Sequence, residues 1–268
     1  MGMFRAIFLF FVFFSLSGFS QTGSSSRSVN RFKTGEHLVF RLGYGWFTLG
    51  RADLKIEPAL VTYQNKPCYK VEIEGKTTGI LGAFSKVDDL WGAYVDSETL
   101  LPMLAYSDIH EGNYSREEAI HFDQAAGKIR VEMTKRKKVR PTKYYETDKD
   151  VHDMISGYLH MRNIDFRRMS VGDTVRFQAF YDEIFYDFGV VYDGKEEIKT
   201  KVGDLMAYRI IPVIPENEIF PGTNPITAWI SADSNQLPLV IKADMFFGSA
   251  VVELTDYKNI RYGPDFQP

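Results

Sequence analysis

The sequence predicts a mainly β protein: a single curved antiparallel sheet, bent into a half-barrel and wrapped on one helix. Three observations predict it. Apolar residues recur with period two along most of the chain, turn residues interrupt those runs at short intervals, and one segment carries a helical period. Successive side chains of a strand point to opposite faces, so period two marks sheets with one buried and one wetter face. Hairpin-length connections favour antiparallel neighbours, because parallel strands need long crossovers.

Residues 1–20 come first. Arg5 opens a positive segment, about 11 mostly apolar residues follow from Ala6 to Leu16, and Ser17, Gly18 and Ser20 supply small residues. This is the pattern of a secretory signal peptide, with cleavage expected after Ser20. The apolar core is too short to span ~30 Å of hydrocarbon, so no transmembrane span is expected after removal. Cysteine is absent near that site, which excludes lipoprotein attachment there. Residues 21–33 are largely small and polar, a flexible lead-in. Residues 34–262 read as a single β domain.

Within it, Leu38, Phe40, Leu42 and Tyr44 alternate with Val39, Arg41 and Gly43; Ile129, Val131 and Met133 alternate likewise. Similar runs are ADLKIE, YKVEIEG, TVRFQAFY, AYRIIPV and AVVELTDY, separated by turns such as DSET, EGN, AAGK and YDGK. Roughly 12 to 14 strands are expected. A sheet beyond ~10 strands must curl or split, and curling around a helix leaves a concave, aromatic-rich inner wall. The helix is placed at about 150–165: Val151, Ile155, Tyr158, Leu159 and Arg162 recur at spacings of three and four. Asp148 or Asp150 is the expected cap, Asn163 the end, and Gly157 implies a close packing partner.

A net charge of −3 excludes a generally basic nucleic-acid binder. The single Cys68 excludes an intrachain disulfide and a cysteine-based zinc site, and reads as a small strand-end residue. The chain carries no HExxH, GxSxG, P-loop or dinucleotide fingerprint, so no cofactor is implied. His152 and His160, taken as two turns of one helix, stand ~12 Å apart along its axis, too far for one metal; no metal site is expected. Asp153 reads as a buried ion-pair partner of a strand arginine. The basic run 135–138, with Arg140 and Lys143, reads as a solvated hairpin tip, with contact to phosphate head groups as the sharper alternative. Phe40, Tyr44, Trp46, Trp91, Tyr106, Tyr158 and Phe180 are candidate ligand-lining aromatics of the concave face. If the protein were an enzyme, Glu111, Tyr114, Asp153 and His160 would be its groove residues.

Four segments together resemble a known family: GEHLVFRLGYGWFTLGRADL, KVDDLWGAYVDSETLLPMLAYSDIHEGNYSREEAIHFD, VHDMISGYLHMRNIDF and ITAWISADSNQLPLVIKADMFFGS. In this order they are similar to domain of unknown function 3108, over roughly residues 34 to 260. The resemblance implies an exported Gram-negative envelope protein, in the periplasm or at the outer-membrane periphery. Its fold would be antiparallel β, similar in outline to periplasmic lipoprotein carriers. It implies no activity and assigns no catalytic residue. One departure is visible after Trp229-x-Ser231-x-Asp233: Asn235 and Gln236 stand where the family pattern has a basic residue, which argues against an anion site there. Three roles follow as expectations. The first is binding of a lipid, lipoprotein or other amphipathic ligand in the concave apolar face. The second is a scaffold within an envelope assembly, and the third a polysaccharide-active enzyme.

Overall fold

A computed structural model describes residues 30–78, 86–213, 225–245 and 248–263. The signal-peptide reading of 1–20 lies outside these residues. The first half of the chain forms β1 (His37–Tyr44), β2 (Phe47–Ile56), β3 (Val61–Tyr63), β4 (Lys66–Thr77), β5 (Asp88–Asp96) and β6 (Pro102–Glu111). It continues with β7 (Tyr114–Asp123), β8 (Lys128–Lys135), β9 (Lys138–Val139), β10 (Lys143–Glu146) and β11 (Val151–His152). Helix α1 (Met154–Arg162) and a 3-10 turn (Phe166–Arg168) follow. The second half forms β12 (Thr174–Tyr181), β13 (Ile184–Thr200), β14 (Gly203–Val213), β15 (Ile226–Ser231), β16 (Pro238–Asp244) and β17 (Ser249–Lys258). The strands beyond the expected 12 to 14 are short pieces such as β3, β9, β10 and β11, whose two to four residues are too few to carry a period.

All the strands belong to one sheet. Backbone pairing runs from β12 in chain order through β17, then β1 and β2, then β4 to β8. The start of the domain therefore sits mid-sheet, beside the strand that ends it. Among the described residues only β11 on β12 is a parallel pair; the others are antiparallel. The sheet is open: no backbone ladder joins its β11–β12 edge to its β8–β10 edge among the described residues. Side chains bridge this seam instead. The Gln124 carboxamide donates to the Val151 carbonyl at 2.8 Å and accepts from the Val151 N–H at 3.3 Å, and Thr147 Oγ1 donates to Gln178 Oε1 at 2.8 Å. Beneath them Phe122, Ile129, Val131, Val151 and Phe180 pack as one cluster. Covering an edge in this way blunts its tendency to pair with another chain.

Because neighbours are antiparallel, alternate turns fall at opposite ends. A first rim carries turns 45–46, 112–113, 136–137 and 182–183, and a second rim carries 64–65, 97–101, 124–127 and 232–237. Helix α1 occupies the concavity between them. Its Ile155, Tyr158 and Leu159 join Leu38, Phe40, Leu54, Val71, Val95, Leu239 and Leu254 in the main core. Gly157 meets its expected close partner: a Cβ there would lie 3.2 Å from the Phe177 ring.

Gly92 is the tighter case. A Cβ on it would stand 2.1 Å from Cζ of Tyr106, whose hydroxyl crosses β5 to donate to Glu72 Oε1 at 2.5 Å. Gly92→Ala displaces the ring and breaks a hydrogen bond to a charged acceptor. The expected loss is about 1–3 kcal/mol, read as a lower urea midpoint at unchanged m-value. An unchanged midpoint would show that Tyr106 has an equally good second position.

Candidate functional site

The entrance to α1 decides the local geometry. Asp153 is the N-cap: its carboxylate accepts from the N–H groups of Ile155 and Ser156, each at 3.0 Å, and Ser156 Oγ accepts from the Asp153 N–H at 3.0 Å. This capping box satisfies helix-start amides that would otherwise lack partners. It corrects two expectations. Neither Asp148 nor Asp150 caps the helix, and Asp153 makes no ion pair with an arginine. Burial raises its carboxyl above the usual range, while the hydrogen bonds from Ser156 and Ile155 oppose that shift.

The cap also places His152 in β11 rather than on the helix, which overturns the two-turn separation. The His152 and His160 rings lie 4.9 Å apart, and both meet the Phe177 ring edge-on, at 5.3 and 5.0 Å. Burial, then the neighbouring His160, pushes His152 down to about 3; burial lowers His160 as well. Both imidazoles are neutral at physiological pH. Among the described residues no group of three or more His, Cys, Asp or Glu is arranged to hold a metal ion.

Two cavities border this region. The smaller is a partly open chamber of about 60 Å³ between the start of α1, the inner face of β5–β7 and β12. It brings together Trp91, Phe180, Glu111 and Asp153, whereas Tyr106, expected on the concave face, turns its ring over Gly92 to Glu72 on the other face of the sheet. Its polar wall is Arg116, which donates to Glu118 at 2.5 Å and to Asp182 at 2.7 Å. Burial pushes Glu118 up, although Arg116 opposes this. On the same inner side, Asp89 is 2% exposed. Its Oδ1 accepts from the His110 N–H at 2.8 Å, and its Oδ2 has no hydrogen-bond partner among the described residues. Burial, reinforced by the carboxylates of Glu111, Asp88 and Asp108, raises it to about 7. At ~15 Å³ per water, the chamber holds a handful of waters and no acyl chain.

The concave face is thus filled rather than hollow. Phe40 and Tyr158 are packed into the core, and Tyr44 lies partly buried against it. Trp46 is 98% exposed, because it sits in the two-residue turn between β1 and β2 where no strand of the described residues covers it. The four residues of the enzyme reading do not converge. Glu111 and Asp153 line the chamber, His160 faces the second rim, and Tyr114 lies on the first rim with Lys135 and Arg136 over its ring.

The larger cavity is a groove of about 1320 Å³ at the second rim. His152, His160 and Phe177 lie on its wall with Leu101, Pro102, Met103 and Phe122. Its charged border includes Lys66, Lys128, Arg130, Lys149 and Arg176, against Asp96, Asp123 and Asp150. Lys66 is paired with Asp96, and Arg176 with Asp187. Lys128 and Lys149 make no ion pair among the described residues. Cys68 lies nearby, fully buried with Sγ 3.5 Å from Met103 Sδ; burial raises its thiol above the ordinary range, an unreactive setting.

A further constellation escaped the reading of the sequence. Arg162, grouped there with the apolar stripe of the helix, is 2% exposed and paired with the fully buried Glu36. It also donates to the carbonyls of Arg31 at 3.2 Å and Asn235 at 2.8 Å. Gln236 Nε2 donates to the carbonyls of Arg162 at 2.9 Å and Ile164 at 2.8 Å, satisfying the end of the helix. Asp233 holds that loop by accepting from Ser231 Oγ and from the N–H groups of Asn235 and Gln236. Gly35-Glu36, the helix and Trp229-x-Ser231-x-Asp233 therefore meet in one buried polar clamp. With Asn235 and Gln236 both fully buried, this stretch fastens the helix to the sheet and offers no surface to an anion. The signal available in sequence was the recurrence of these motifs in order, without their contact.

Comparison with known proteins agrees with this architecture. A family model described as protein of unknown function (DUF3108) matches residues 39–255. No curated protein matches the sequence. The chain is similar to a solved beta-barrel-like protein of domain of unknown function DUF1849 from Brucella abortus. That likeness has 10% identity and a TM-score of 0.56, and covers 87% of this chain and 100% of that one. A weaker likeness, at 8% identity and a TM-score of 0.34, covers 86% of this chain and all of a Bacteroides fragilis protein with a YmcC-like fold. The matched span runs from β1 into β17 and takes in both cavities and most of the clamp, and the chain belongs to DUF3108, a family of proteins of unknown function.

Proposed function

We propose that this is an exported envelope protein of a Gram-negative bacterium that binds an amphipathic ligand with an anionic head, a lipid or the acylated end of a lipoprotein, in the second-rim groove. The carrying observation is the groove itself. Its volume of about 1320 Å³ exceeds the ~300–1,000 Å³ of ordinary small-molecule pockets. Its wall joins an apolar strip to a border where Lys128 and Lys149 have no carboxylate partner among the described residues. The leader-like residues 1–20 support export, and no helix among the described residues is long and apolar enough to cross a membrane. A scaffold role is less favoured, because apart from the adjacent Trp46 and Phe47 the exposed large apolar side chains of the described residues, Leu60, Val139, Tyr144, Val171, Ile184 and Met206, are spread over separate elements rather than gathered into one broad patch.

The test is titration of the chain with a monomeric fluorescent acyl probe carrying a carboxylate head, below its micelle concentration. Saturable binding is expected. Lys128→Glu with Lys149→Glu should weaken it about tenfold or more, at roughly 1 kcal/mol per displaced cation. A chain that takes up no probe, or a double variant that binds as well as the parent, would exclude the groove.

A further inference from the structure

The first rim, opposite the groove, carries two features that the ligand-binding reading leaves unused. One is the turn between β1 and β2, where Trp46 is 98% and Phe47 69% exposed. This tip is tied to its neighbours: β1 is paired with β17 on one side and β2 on the other, and the Gly45 N–H donates to the Ser249 carbonyl at 3.2 Å. The other is the turn between β8 and β9. Arg136, Lys137 and Lys138 are exposed there and make no ion pair among the described residues. Among the described residues, the two acidic groups of the 182–183 turn on the same rim are engaged: Asp182 with Arg116, and Glu183 with Lys143. By antiparallel alternation the two tips lie at the same end of the sheet. Counting β2, β4, β5, β6, β7 and β8 at ~4.8 Å spacing, they stand roughly 25 Å apart along its arc.

We propose that the first rim docks on an anionic bilayer surface, with Trp46 and Phe47 entering the interface and the 136–138 turn meeting lipid phosphates. The amount of exposed apolar surface selects this occupant. Among the described residues the β1–β2 tip exposes two aromatic side chains, on the order of 150–250 Å² each, while Val139 by the basic turn and Ile184 by the 182–183 turn are exposed singly, so no one contact reaches the ~800 Å² per partner of a stable protein interface. An indole on a protruding turn, with an apolar ring and one N–H donor, has the chemistry found at the headgroup level of membranes. Two contacts separated along one rim fix an orientation on a plane, and leave the groove facing away from that bilayer. This inference does not rest on the groove holding a ligand.

The experiment uses the processed chain released by its producing cell, and vesicles of phosphatidylethanolamine and phosphatidylglycerol at 3:1 or of phosphatidylcholine alone. Flotation should carry the chain with the anionic vesicles, and tryptophan emission should shift to the blue; Trp46→Phe should float equally and lose most of that shift. Trp46→Ser with Phe47→Ser should weaken flotation at least tenfold while circular dichroism and the urea midpoint stay unchanged, since neither side chain is in the core. Arg136→Ser, Lys137→Ser and Lys138→Ser together should reduce binding at low salt and flatten its salt dependence. No flotation by the parent chain, or equal flotation by the Trp46/Phe47 double variant, overturns the proposal. So does a dimer in sedimentation that the same double variant dissolves, which would assign the tip to a protein contact.

Discussion

Arg162→Met should destabilise the fold by about 3–5 kcal/mol, because it strands the Glu36 carboxylate without its cation in a fully buried position. For a domain of this size, that corresponds to a fall in melting temperature of about 10 °C. The same change removes donors from the carbonyls of Arg31 and Asn235, and so loosens the entry of the chain and the β15–β16 loop together. Replacing both charged partners, Glu36→Leu with Arg162→Met, should recover part of the loss, since a buried pair exchanged for apolar groups is often close to neutral. Recovery should be incomplete because those carbonyls stay unpaired. Urea denaturation followed by intrinsic fluorescence measures both variants. A single variant within about 1 kcal/mol of the parent would show that Glu36 finds water or another donor, and the clamp would then be incidental to the fold.

That clamp also marks where sequence reasoning stops. Leu38, Phe40 and Leu42 announce their strand because one face of the sheet is buried, and burial imposes the period. Nothing comparable connects Glu36 to Arg162, which are 126 residues apart and meet only after the sheet has curled. The helix was legible as an element, but its start was not. Val151 happens to fall on the apolar stripe although it lies in β11, so the period alone runs through the boundary. The distinguishing mark was chemical: of the three aspartates at 148, 150 and 153, only Asp153 has a serine three residues on, able to close a capping box. Trp46 misled in a related way. It follows an alternating run, yet the Gly45 that precedes it turns the chain, with φ of +54°, and puts the indole in solvent. Whether the concavity would be hollow or filled was beyond any pattern. It depends on how closely the helix fits the radius of the curl, which side-chain volumes decide in three dimensions.

The largest expected pH effect comes from two buried groups that oppose each other. In the folded protein Asp89 keeps its proton up to about pH 7, while an unfolded aspartate releases it near 3.8. The folded state binds that proton more tightly, so this contribution is complete below pH 3.8 and is lost as pH rises toward 7. His152 does the reverse. Its pKa of about 3 lies below the unfolded value of 6.5, so its contribution is complete above pH 6.5 and is lost as pH falls toward 3. Each slope is about 1.4 kcal/mol per pH unit, and between pH 4 and 6.5 they largely cancel. Asp89→Asn removes one side of this balance. Its amide oxygen can still accept from the His110 N–H, and it carries no charge to bury. The variant should be about 3–4 kcal/mol more stable than the parent at pH 8. Its stability should then decline steadily on acidification from pH 6.5, where the parent stays nearly level. Urea midpoints at pH 4.5, 6 and 8 give the comparison. Parallel curves for parent and variant would mean that solvent reaches the Asp89 carboxylate and that burial does not hold its proton.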